Sequence, residues 1–224
     1  MSKIPWLEDN NFVFPNVSTA LTEPDGLLAA SERLTPELVI EAYKQGIFPW
    51  YSEGQPVLWW SPDPRCVLYP DKFHISRSFR RRLNNNPFEM RTNTVFRDVM
   101  LACAEPRLNN HKLDEAGTWI TRPMLEVFCQ LHDAGFAHSI ECWFDNKLVG
   151  GMYGLLLGDI FFGESMFSRM KDASKVAVHF VCTTIKPYMI DAQVYSSHLE
   201  TLGAEEIDRH EFIDIVQSRI TCSR

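Results

Sequence analysis

The feature that most constrains this chain lies between residues 138 and 168, where the apolar spacing changes from a helical period to a period of two. HSIECWF, a DN turn, KLVGGMYGLLL, a GD turn and IFFGESMF read as three strands joined by tight connections, a β-meander. Such a sheet must bury at least one face against other elements. The flanking sequence offers the cover. In TPELVIEAYKQG, Thr35 is placed as N-cap, Pro36 fills the first helical position, and Gly46 supplies a left-handed stop. A second helix is expected from near Asn93 or Thr94, with Phe96, Val99, Met100 and Cys103 as its apolar stripe. In TRPMLEVFCQLHDAGF, Thr121 caps, Met124, Val127, Phe128 and Leu131 face inward, and Gly135 stops the helix.

HISRSFRRRLNNN, DASKVAVHFVCTTIKPY and a run from about Arg209 to Ile220 complete the helices, while RCVLYP and MIDAQVYS add strands. EPRLNNHKLDEAG is polar and reads as a mobile loop. The sum is an α+β fold with a central, mostly antiparallel sheet. The first sixty or so residues differ: they are rich in Pro, Gly and aromatics, with one helix and a loop or short strand around the paired tryptophans. The SPDP step sets a boundary between a small N-terminal domain, 1–64, and a larger domain, 65–224, in keeping with a length of 224 residues.

Composition matters mainly for what it excludes. With 45% hydrophobic and 23% charged residues, fibrous and disordered classes drop out. No long apolar run and no basic-then-apolar leader is visible, so neither membrane spanning nor secretion is expected. Cys66, Cys103, Cys129, Cys142, Cys182 and Cys222 are scattered, without a C-x-x-C pair, and read as reduced thiols in a cytoplasmic protein. There is no G-x-S-x-G elbow, no Walker loop, no dinucleotide glycine pattern and no metal-ligand spacing among the seven histidines. No cofactor and no metal are therefore expected.

Three groups of residues carry chemistry. Glu164 interrupts an otherwise apolar strand, and a carboxylate there must be paired, hydrated through a cleft, or protonated. Alternation puts Phe162, Glu164, Met166 and Ser168 on one side of that strand, and Phe161, Gly163, Ser165 and Phe167 on the other. By the same rule Asp191 and Gln193 point one way on MIDAQVYS, either to solvent or into a shared site. If Glu164, Asp191 and Gln193 converge, their cleft would be lined by Phe162, Met152 and Met166, with apolar walls and carboxylates for cationic amines. A salt bridge for Glu164 is the alternative.

The third group is basic. Lys72, Arg77, Arg80, Arg81, Arg82 and Arg91 face one acid, Glu89, giving a local +5 within a total of −7 and so −12 for the remainder. Arg77, Arg80 and Arg81 are spaced to share a helical face, which suits either solvent or phosphate oxygens. Trp50, Trp59, Trp60 and Trp119 lie in or near turns, where indoles pack or stack on bases.

GIFPWYS, LWWSPDPR, FHISRS, GTWIT, LHDAGFAHSIE, LVGGMYG, FFGESMFSR, ASK and IDAQV, in that order, resemble the leucyl/phenylalanyl-tRNA protein transferases of bacteria, over residues 21–203. The resemblance implies an aminoacyltransferase that moves Leu or Phe, and also Met, from aminoacyl-tRNA to an N-terminal Arg or Lys of proteins, marking them for degradation. It further implies a catalytic domain similar to the acyl-CoA N-acyltransferases, a monomer, and no membrane. It assigns Asp191 and Gln193 as catalytic, Trp50 to the terminal adenosine, and Trp119 and Glu164 to other active-site positions. Met152 and Met166 match the pocket for the aminoacyl side chain, with Phe167 and Ser168 as further substrate-binding positions. Arg77, Arg80 and Arg81 are the tRNA-binding candidates. On charge, Asp191 is expected to pair with the acceptor's basic side chain or to polarise Gln193. Two other readings stand beside this one: a leucyltransferase acting on acidic N-termini, and a catalytically silent tRNA-binding homologue.

Overall fold

The computed structural model of the chain describes residues 4–8, 13–105, 108–109, 112–113 and 120–221. Most of the polar EPRLNNHKLDEAG segment lies outside the described residues. Four short strands form a first sheet: β1 (Trp6–Leu7), β2 (Leu27–Ser31), β3 (Phe48–Pro49) and β4 (Val57–Trp60), in the order β1-β2-β4-β3. Only the parallel pair of β1 with β2 departs from antiparallel pairing. Between β2 and β3 runs α1 (Pro36–Lys44), which matches the expected helix in detail. Thr35 Oγ1 accepts the Leu38 N–H at 3.2 Å, and Gly46 takes a φ of 73° just past the end. Leu38, Val39, Ala42 and Tyr43 form its buried face.

The second sheet begins at β5 (Arg65–Leu68), followed by β6 (Glu89–Thr92). A two-residue hairpin, β7 (Leu108–Asn109) with β8 (Lys112–Leu113), stands apart. The meander follows as β9 (Ala137–Phe144), β10 (Lys147–Leu157) and β11 (Ile160–Ser168), then β12 (Met189–Gln193) and β13 (Glu205–Ile207). The order is β13-β5-β12-β11-β10-β9-β6, with β11 and β12 the one parallel pair. The expected mostly antiparallel sheet is thus observed. Asp145 and Asn146 both take left-handed φ, 48° and 56°, as the first two-residue turn requires.

Two apolar clusters sandwich this sheet. The larger one joins α1, α3 (Phe96–Ala104), α4 (Arg122–Asp133) and α7 (Arg209–Thr221) through residues such as Tyr43, Val99, Phe128 and Phe212. The smaller one joins α2 (Arg77–Asn84) and α5 (Ala173–Phe180) through Phe79, Val176 and Ala177. The short α6 (Ser197–Thr201) follows β12. Helix α3 starts later than its sequence suggests because Asn93 sits at a φ of 61° and the Glu141 carboxylate takes the Thr94 and Val95 N–H groups. Among the described residues no helix is long and apolar enough to cross a membrane.

Candidate active site

Strands β11 and β12 pair only from Ile160 to Phe162 and from Met189 to Asp191; beyond that the ladder stops and the strands part. Each carries a bulge where they separate. On β11, Tyr153 faces Ser165 and Gly154 faces Gly163, so Glu164 is the extra residue. Gly154 is required opposite it, since a Cβ there would strike the Phe162 carbonyl and the Phe161 ring. The bulge inverts the alternation read from sequence. Phe162 and Phe167 share the face of the larger cluster, whereas Phe161 and Met166 share the other. Phe162 is accordingly not on a cleft; it lies fully buried, edge-on to Tyr43 with centroids 5.0 Å apart.

The bulge on β12 is at Ala192, because Asp191 pairs with Val67 and Gln193 with its neighbour Cys66. Consecutive strand residues face opposite ways, so Asp191 and Gln193 do not point together as their i, i+2 spacing suggests. Asp191 is fully buried and holds Arg65 through two parallel hydrogen bonds, Nε to Oδ1 at 2.8 Å and Nη2 to Oδ2 at 2.7 Å. Its expected contact with an acceptor side chain is therefore corrected: the cation it pairs with is internal. Asp191 Oδ1 also accepts the Gln193 N–H at 2.9 Å, holding Gln193 at a φ of 60°. That is a left-handed conformation few residues other than glycine adopt without such support.

Gln193 then donates from Nε2 to Glu164 Oε1 at 3.1 Å, and the buried Tyr43 hydroxyl donates to the same oxygen at 2.6 Å. Glu164 is 9% exposed. Burial, reinforced by the nearby Asp191 charge, pushes its carboxyl up to about 8, against the pull of the Tyr43 and Gln193 hydrogen bonds and the Arg65 charge. Of the three fates open to this carboxylate, the structure combines a protonated tendency with access to clefts.

Two clefts meet at this pair. One, of about 600 Å³, occupies the gap between the parted strands and is lined by Met152, Met166, Val178 and Ile190, with Glu164 and Gln193 at its edge. The other, of about 190 Å³, lies against Phe48, Pro49, Trp50 and Val194, and shares Glu164 and Gln193. Trp50 is 47% exposed, its ring tilted against Trp60 at 5.7 Å.

The structure therefore brings Met152, Glu164, Met166, Asp191 and Gln193 to one cleft and Trp50 to its neighbour. Phe167 is buried in the larger cluster, and Ser168 is exposed, donating to the Met170 carbonyl at 2.8 Å; neither lines these clefts. Trp119 lies outside the described residues. Arg77, Arg80 and Arg81 are exposed on α2, which Phe79 anchors in the cluster that also contains Met152 and Ile190. Sequence reasoning missed Tyr43 and Arg65. Arg65 carried a readable signal, a charge heading the apolar run RCVL; Tyr43 resembled any aromatic on a core-facing helix.

A model of the family described as Leucyl/phenylalanyl-tRNA protein transferase matches residues 67–217, and one for the N-terminal domain of the same family matches residues 32–63. A leucyl/phenylalanyl-tRNA protein transferase of Nitrosospira multiformis is 50% identical over 212 residues, covering 93% of this chain and 89% of that protein. Its counterpart in Azoarcus sp. is 51% identical over 212 residues, 93% of this chain and 88% of its own length. That of Stutzerimonas stutzeri is 47% identical over 214 residues, 94% and 92%. Among solved structures, a GCN5-related N-acetyltransferase from Kribbella flavida aligns with a TM-score of 0.35 at 7% identity, over 76% of this chain and 59% of that one.

Proposed function

This chain belongs to the leucyl/phenylalanyl-tRNA protein transferase family of aminoacyltransferases, and from that premise we propose that it moves Leu or Phe, and also Met, from aminoacyl-tRNA to an N-terminal Arg or Lys of proteins. It does so as a monomer in the cytoplasm, marking those proteins for degradation, with a division of labour between residues 1–64 and 65–224. The observation that carries the reading is the meeting of the two clefts at Glu164 and Gln193. The larger cleft suits an apolar side chain, with Met152 and Met166 as adaptable walls. The exposed Trp50 suits stacking of a terminal adenosine. The ester joining them would then cross the Glu164 and Gln193 junction. Exposed Arg77, Arg80 and Arg81 suit acceptor-stem phosphates.

The ester is already activated, so the chemistry reduces to delivering a neutral amine. The amine nitrogen bonds to the ester carbonyl carbon, the carbon–oxygen bond to the ribose breaks, and the proton lost by the amine ends on the released ribose hydroxyl. An α-ammonium has a pKa of about 8. Glu164, also near 8, can therefore take its proton with little driving force lost either way. Gln193 is no base. With its Nε2 engaged by Glu164, its carbonyl oxygen is the end that accepts a hydrogen bond from the amine and aims it. Asp191 acts one step back, through Gln193.

The test is transfer of labelled leucine from charged tRNA to peptides beginning with Arg, Lys, Asp or Glu. Label on the Arg and Lys peptides alone is expected. Label on the acidic peptides instead would make the protein a different leucyltransferase, and tRNA binding without product would make it a silent binder. Replacing Arg77 and Arg81 together by Ala should weaken tRNA binding and lower the salt slope by about 1 to 2; filter binding that shows no change removes the phosphate role.

A further inference from the structure

The geometry points to Arg65 as a positioning residue for the transfer reaction, acting through Asp191 on Gln193 and Glu164. The inference rests on the reading above and extends it to a residue that touches neither cleft. Arg65 is 1% exposed, its guanidinium held between the rings of Phe48 and Phe212 at 4.7 and 4.6 Å. Two of its nitrogens grip Asp191, and Nη1 donates to the Gly46 carbonyl at 3.2 Å. It thus joins β12 to the turn that closes α1, to β3 and to α7.

From Arg65 the contacts run without a break. Asp191 Oδ1, fixed by the Arg65 Nε, accepts the Gln193 N–H at 2.9 Å and so holds the left-handed backbone after the Ala192 bulge. That backbone sets where the Gln193 amide reaches Glu164, and Tyr43 holds Glu164 from the other side. Tyr43 and Gly46 belong to α1 and the turn that ends it, so the path starts and finishes on the same N-terminal element. The small first sheet and its helix thereby act as a clamp on both ends of the reacting pair.

A purely structural ion pair would look similar in one respect: removing Arg65 alone strands a buried carboxylate and destabilises the fold. The two roles separate when both charges go. Replacing a buried pair by apolar residues of similar volume is often neutral for stability, whereas an apolar residue at 191 offers no acceptor to the Gln193 N–H.

The experiment compares the wild type, R65K, and the double variant R65M with D191L, by thermal melting and by steady-state transfer of labelled leucine to an Arg-starting peptide. The double variant is expected to melt near the wild type yet lose about 100-fold in kcat, with KM for charged tRNA within about twofold. R65K keeps the charge but not the two-pronged grip, and is expected to lose about tenfold in kcat with melting nearly unchanged. A double variant that recovers both melting and turnover overturns the inference. Should the double variant not fold, R65K decides alone: turnover within about twofold of wild type, at an unchanged melting temperature, overturns it as well. A wild type that transfers no label brings down the functional reading and this inference with it, while active wild type beside equally active variants refutes only the inference.

Discussion

Two buried glutamates on the same sheet have opposite chemistry, and the contrast between them shows what makes a carboxylate structural or reactive. Glu141 on β9 receives five hydrogen bonds: from the Thr94 N–H at 2.8 Å, the Val95 N–H at 3.0 Å, Ser139 Oγ at 2.8 Å, Trp143 Nε1 at 3.1 Å, and the Thr94 hydroxyl. Burial pulls its pKa up, but those donors together hold it below the usual carboxylate range. Glu164 on β11 has Tyr43 and Gln193 on one oxygen and a second acid, Asp191, nearby, and it rises to about 8. Glu141 is saturated and caps the start of α3, whose N-terminus also favours its charge. Glu164 has fewer donors, a like-charged neighbour and two clefts at its side.

If that distinction holds, the largest effect belongs to the saturated acid. Glu141→Ala strands five donors at the root of α3 and should cost at least about 3 kcal/mol, a fall in melting temperature of roughly 10 °C for a chain of this size. Turnover per folded molecule should barely change; a large loss of kcat in protein that still melts normally would erase the contrast. Glu164→Gln should do the reverse. An amide oxygen can still accept from Tyr43 and Gln193, so the fold is kept, while transfer should fall by about 100-fold or more with loss of the proton acceptor. Unchanged kcat/KM for the Arg-starting peptide would take Glu164 out of the reaction.

The two acids should also mark opposite ends of the stability profile. Glu141 has a folded pKa below its unfolded value near 4.5, so its contribution is present above that value and is lost as pH falls through the lower folded one. Glu164 has a folded pKa raised to about 8, so the fold loses stability as pH climbs from 4.5 to 8. Glu164→Gln should therefore match the wild type at pH 4.5 and exceed it at pH 9, by about 1.4 kcal/mol for each unit by which the folded pKa stands above the unfolded one. Urea melts across that range test the sign, and equal stability at both ends would refute the raised pKa.

How much of this contrast could be read beforehand differs from element to element. The meander was legible because the DN and GD turns fix both the connections and the strand ends, and α1 because Thr35, Pro36 and Gly46 each do the expected local work. Strands β6 (EMRT) and β13 (EEI) were not, since both are polar edge strands defined only by pairing with β9 and β5. Glu164, Asp191, Gln193 and the two methionines were found by charge or resemblance, and the methionines do line a cleft with Glu164, but the faces of Phe162 on β11 and of Asp191 relative to Gln193 on β12 were misread. The cause is the same at both places: a single extra residue, Glu164 on β11 and Ala192 on β12, shifts the alternation by one, and nothing in the local sequence announces a bulge. Glu141 went unnoticed because three of its five donors come from Thr94 and Val95, more than forty residues away in the chain.

The smallest effect is also the sharpest probe of the pair, because it alters Glu164 without removing it. Tyr43→Phe deletes the hydrogen bond from the phenol, one of the influences holding the Glu164 pKa down against burial and Asp191. The carboxyl should then titrate above its present value of about 8. If Glu164 is the proton acceptor, the rising limb of kcat/KM against pH moves to higher pH, kcat/KM at pH 7.5 falls by about threefold, and the plateau well above the limb is retained. The acceptor's own amine titrates near the same pH, but its pKa belongs to the peptide and does not respond to a change at position 43 once kcat/KM is normalised to free peptide. A limb that stays where it was would assign the titration to the amine alone and leave Glu164 a bystander. A limb that moves alkaline in Tyr43→Phe, and vanishes from the enzyme's side in Glu164→Gln, would tie the difference between the two buried acids to the count of donors each receives.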